Sequence, residues 1–134
     1  MHKQKESEIK MFKRFTANPK NETNDCAIRS FANAEGKEWQ QVAKEFFDIA
    51  LEEYLMPNDL WVATKYAEKY GYEDGYIYPD NPYNVARFIQ THPTGKYVVL
   101  VSGEQSHAIS IIDGDHYDLY DSINEPIDQY WTIE

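Results

Sequence analysis

The chain has 134 residues, with 13 lysines and arginines against 23 aspartates and glutamates, a formal charge of −10. That length holds one domain, and 42% hydrophobic with 15% aromatic residues supplies a core, which excludes a wholly disordered chain. The charge is uneven: residues 1–20 carry six basic and two acidic groups (net +4), whereas residues 21–134 carry seven basic and 21 acidic groups (net −14). An acidic body repels phosphate backbones, so nucleic acid is not an expected partner.

The single cysteine, Cys26, cannot form an internal disulfide, and no paired Cys/His spacing points to structural zinc, so no metal or other cofactor is expected. Residues 1–15 are charged throughout and lack the apolar run of a signal peptide, and no stretch reaches the length of a membrane span. A cytoplasmic protein with no membrane partner is expected.

In chain order, residues 1–14 read as a basic, flexible segment and residues 15–134 as one domain. Phe15 to Asp25 is rich in Asn and Lys and reads as a loop. Ala27, Ile28, Phe31 and Ala32 then recur at helical spacing until Gly36 stops the run, with Asn24 or Thr23 as the expected cap. A second helix is predicted over Trp39–Glu53, and a third from a cap at Asn58 to about Tyr70. Asn81 and Pro82 pair as cap and first turn of a short helix to about Gln90.

The pattern changes at Gly95. Lys96–Val101 is apolar and β-branched, Ser106–Ile112 alternates, Asp113-Gly114 makes a hairpin turn, His116–Tyr120 alternates again, and Gln129–Ile133 is a last strand. Helices followed by an antiparallel meander predict an α+β domain with its helices packed on one sheet.

Cys26 is the candidate for chemistry. Its place in the first turn of a helix, after a polar loop, favours a thiolate through free backbone N–H groups and the helix dipole, although Asp25 opposes ionisation. Among the four histidines, His2 lies in the tail, His92 in a Thr-His-Pro loop and His116 at a strand start, all expected at the surface. His107 instead shares a strand face with Ile109 and Ile111 and requires a hydrogen-bond partner there. The hairpin at Asp113-Gly114 returns the next strand alongside, and of its two carboxylates Asp121 is expected nearer His107, with Asp118 pairing nearer the middle. Tyr72, Tyr76 and Tyr78 form an aromatic cluster that reads either as edge packing or as a groove wall.

NDCAIRSFANAEGKEWQQV followed by YNVARFIQTHPTGKYVVLVSGEQSHAISIIDGDHYDLYDS resembles the small papain-like cysteine peptidase-type proteins of phages and bacteria. The similarity runs from about Asn18 to Trp131. It implies a papain-like fold, with Cys26 as nucleophile, His107 as general base and acid, Asp121 as the orienting residue, and Asn24 or Asn21 as the side-chain oxyanion donor beside the Cys26 N–H. Lys20 and Asn21 occupy the region where such enzymes carry a glutamine.

The implied substrate is a protein or peptide, with basic segments drawn to the acidic sheet side, and the implied state is a monomer or weak dimer in the cytoplasm, the host's if the chain is phage-encoded. A non-catalytic papain-like binder, such as an antagonist of a host factor or of defence, and a cell-wall amidase are the alternatives. Cys26→Ala or His107→Ala is expected to abolish turnover and Asp121→Ala to weaken it.

Overall fold

The computed structural model describes residues 12–14, 25–77, 83–102 and 106–134. Among them are four helices, α1 (Cys26–Glu35), α2 (Trp39–Glu53), α3 (Leu60–Lys69) and α4 (Val85–Thr91). Six strands form one sheet: β1 (Phe12–Arg14), β2 (Glu73–Tyr76), β3 (Lys96–Ser102), β4 (Ser106–Ile112), β5 (Asp115–Asp118) and β6 (Ile127–Thr132). Their spatial order is β1-β5-β4-β3-β6-β2.

The domain is therefore α+β, as expected, but the sheet is mixed. β1 runs parallel to β5, whereas the other pairings are antiparallel. Phe12–Arg14 thus forms an edge strand inside the segment that its charge marked as a tail, because Phe12 sits opposite His116 and packs on its ring at a centroid distance of 5.5 Å.

Alternation along the central strands divides the core in two. Val98, Ala108 and Trp131 face α1, α2 and α3, where Phe31 gathers Trp131, Phe46 and Tyr66 at ring separations of 5.5, 6.0 and 5.0 Å. Val99, Val101, Ile109, Ile111 and Ile127 face the other way, onto Val85, Phe88 and Ile89 of α4. The helices cover both faces of the one sheet, since the β-branched strands are apolar on both sides.

Local chemistry explains the helix ends. α1 stops at Gly36, whose left-handed φ of 69° lets the Gly36 and Lys37 N–H groups bond back to Asn33 and Ala32. α2 stops the same way without a glycine, at Tyr54 with φ 58°. α3 is capped by Asp59, whose carboxylate accepts from Trp61 N at 2.8 Å, not by the expected Asn58. α4 starts at Val85, capped by Asn84, whose side chain accepts from Arg87 N at 2.9 Å; the expected start at Asn81-Pro82 lies outside the described residues.

At the β4–β5 turn both Asp113 (φ 49°) and Gly114 (φ 86°) have positive φ, as a two-residue hairpin requires. It pairs Ile112 with Asp115, Ile111 with His116 and Ser110 with Tyr117. No helix among the described residues is long and apolar enough to cross a membrane.

Candidate active site

Cys26 is the first residue of α1, directly after its cap residue Asp25. The expected caps Thr23 and Asn24 lie outside the described residues, as do both oxyanion candidates, Asn24 and Asn21. Asp25 does not use its side chain for capping. Its carboxylate, only 6% exposed, accepts from the Arg29 guanidinium at 2.6 Å and from the Trp39 indole N–H at 2.9 Å. Arg29 is itself 4% exposed, so a buried ion pair ties the first turn of α1 to the start of α2 immediately below Cys26.

That anchoring carries an electrostatic cost for the thiol. Burial pushes the Cys26 thiol above its ordinary value, and the Asp25 charge adds to the rise; hydrogen bonds from the Ala108 and Ala27 backbones and the Arg29 cation act the other way without reversing it. Cys26 at rest is a thiol, not the thiolate that a helix N-terminus alone predicts. The helix dipole is outweighed because the sulfur is packed against β4 rather than left in a polar loop.

His107 is the second residue of β4, next to the Ala108 that touches the sulfur. Its Nε2 lies 2.8 Å from Asp118 Oδ2, and the other Asp118 oxygen accepts from Leu119 N at 2.6 Å. Asp118 is 1% exposed. The Nδ1 of His107 meets the Tyr120 hydroxyl at 3.3 Å. Tyr120 is pushed up to about 12, first by burial, then by the charges of Glu125 and Asp118 and by a hydrogen bond to Glu125, so it stays a neutral phenol. The Asp118 carboxylate can only accept, so it favours the proton on Nε2 and leaves Nδ1 on the Tyr120 side.

Asp121, the expected orienting residue, is not at His107. Its Oδ1 lies 2.9 Å from His116 Nε2 and also accepts from Ile123 N, and the His116 hydrogen bond holds the Asp121 carboxyl below the usual carboxylate range. His116, expected at the surface, is 2% exposed beneath Phe12. His92 is half-buried, stacking on Phe88 at 4.0 Å.

Cys26 and His107 line one cavity of about 210 Å³. Leu100 and Ala108 reach it from one face of the sheet and Val101 and His107 from the other, so it sits at the strand ends, under the N-termini of α1 and α3. The amides on its walls are Asn58, which the sequence marked only as a helix cap, and Gln129, which it placed in the last strand. Tyr72 and Tyr76 do not border it. Tyr72 is bound to Glu35, Tyr76 is exposed on β2, and Tyr78 lies outside the described residues.

Among the described residues no cluster of His, Cys, Asp and Glu is suited to hold a metal ion.

No family model, curated protein or solved structure matches the chain. The site stands on its own geometry.

Proposed function

We propose that the protein is a cysteine hydrolase of papain-like architecture that cleaves a peptide or isopeptide amide. The observation that carries this reading is the shared cavity: a cysteine at the first position of a helix and a histidine on the adjoining strand open into it, and a buried aspartate holds the far side of that histidine. The order Cys26, His107, Asp118 along the chain supports the papain-like arrangement.

The chemistry follows from the neutral thiol. A substrate carbonyl entering the cavity displaces the Tyr120 hydroxyl from His107, and Nδ1 takes the Sγ proton as sulfur attacks the carbonyl carbon. The imidazolium that forms is stabilised by the Asp118 carboxylate at Nε2. The oxyanion is met by the Cys26 backbone N–H, unused by the helix at its first position, together with the Asn58 side chain on the cavity wall. Collapse breaks the C–N bond, and Nδ1 returns its proton to the leaving amine. Water, deprotonated by His107, then hydrolyses the thioester and regenerates the thiol.

The test is incubation with a mixed peptide library, read by mass spectrometry for cleaved products and for a Cys26-linked acyl adduct after acid quench. Wild type is expected to give both, and Cys26→Ala and His107→Ala each to lose cleavage by about 10⁴-fold or more. Cleavage that survives Cys26→Ala, or no cleavage and no adduct with any peptide, overturns the reading.

A further inference from the structure

The pairing of β3 with β6 is broken at one point. Leu100 faces Gln129 and Val101 faces Ile127, so one step on β3 is matched by two on β6 and Asp128 is the extra residue of a bulge. A bulge leaves its residue out of the ladder and re-aims the side chain. Here Asp128 is exposed and borders the cavity that holds Cys26 and His107. Its Oδ1 accepts from Ser102 Oγ at 3.1 Å, and its backbone carbonyl accepts from Ile77 N at 2.9 Å, so both side chain and main chain are held in place.

A second carboxylate reaches the cavity from the helical layer: Asp59, fixed by its cap bond to Trp61 N. Among the described residues neither carboxylate is paired with a cation. The remaining walls are largely apolar: Ala27, Leu60, Ala63, Leu100 and Val101. At about 210 Å³ the space is below the usual range of roughly 300–1,000 Å³ for a whole small-molecule ligand, and suits one long side chain.

An apolar cavity bordered by two exposed carboxylates matches a side chain with an aliphatic stem and a cationic head. We infer that this cavity is the specificity subsite of the proposed hydrolase, and that it takes a lysine or arginine side chain of the substrate, with Asp128 as the main carboxylate that reads the charge. The inference rests on the hydrolase reading for its function, but the binding it asserts is measurable without turnover. The acidic body favours the same class of substrate at longer range.

The probe is a set of N-acetylated, C-amidated tetrapeptides identical except for one position, which is Lys, Arg, norleucine or Glu. Dissociation constants are measured by calorimetry on Cys26→Ala, which binds without hydrolysing. Lys and Arg peptides are expected to bind at least about tenfold more tightly than the norleucine peptide. That advantage falls between 20 mM and 500 mM salt and is lost in the Cys26→Ala, Asp128→Asn double variant; asparagine keeps an oxygen for Ser102, so the bulge is retained.

Equal affinity for Lys and norleucine, tighter binding of the Glu peptide, no binding by any of them, or an unchanged Lys preference in the double variant overturns the inference. Because Cys26 is absent, a Lys preference alongside an inactive wild type defeats the hydrolase reading alone. Cleavage by wild type without any Lys preference defeats the subsite alone.

Discussion

Asp25→Ala is expected to destabilise the fold by about 3–5 kcal/mol, measured as the loss of unfolding free energy in urea at pH 7. The figure follows from what is left behind. Arg29 is buried, its guanidinium is bound to Asp25 at 2.6 Å, and the Trp39 indole N–H is bound to the second oxygen at 2.9 Å. Truncation strands a desolvated cation and a part-buried donor, and the penalty for the cation dominates, since breaking one side of a buried pair costs far more than the pair is worth. The control is the double variant Asp25→Ala, Arg29→Met. With no charge left to desolvate, it is expected to recover at least half of the loss. A single variant within about 1 kcal/mol of wild type contradicts this account of the anchor.

The second large effect separates two aspartates. Asp118→Asn is expected to lower turnover by about 10²–10⁴-fold, whereas Asp121→Asn leaves kcat within about threefold. At position 118 the oxygen that accepts from Leu119 N must remain an oxygen, so the new amide nitrogen turns toward His107 Nε2. It donates there, Nε2 becomes an acceptor, and the imidazole proton is forced onto Nδ1, the nitrogen needed as base. Among the described residues Asp121 bonds His116 and Ile123 N, away from the cavity, and its side chain is more than half exposed. Steady-state rates on a peptide found in the library screen decide between them. A larger loss for Asp121→Asn than for Asp118→Asn restores the assignment that the sequence first favours.

The misplacement of that carboxylate is instructive because the sequence contains the means to correct it. A two-residue turn at Asp113-Gly114 pairs position 112 with 115, and continuing that register puts 120 across from His107. Side chains on one face then come from 116, 118 and 120, whereas 121 points to the other face. Tyr120 and Asp118 do contact His107, as the period of two requires. Counting distance along the strand without its parity selects the wrong aspartate.

Other parts of the fold were legible because they are local. The span of α2, the span of β4 and the glycine stop of α1 follow from periodicity and turn chemistry. β1 and β2 were not. Phe12–Arg14 is a strand through its pairing with β5, and Glu73–Tyr76 through its pairing with β6, where Gly75 lets the Tyr130 ring lie against the backbone.

The ion pair under Cys26 was equally hidden. Asp25 and Arg29 stand four apart, a spacing that usually marks a solvated helix face, whereas here the pair is buried and Trp39 bonds the same carboxylate. Burial of Cys26 itself raises the thiol, which is why helix position alone predicts the wrong protonation state.

The central claim is that His107 deprotonates a neutral Cys26, and the pH dependence of Cys26 alkylation by iodoacetamide, in wild type and His107→Ala, tests it most directly. Burial raises the thiol, so its own ionisation limb lies above the ordinary value of about 8.5 in both proteins. Wild type is expected to show a second limb at lower pH, following the neutral imidazole, that makes alkylation at pH 7 at least about tenfold faster than in the variant. Superimposable profiles, each with a single limb, would contradict the account and leave Cys26 a buried structural thiol.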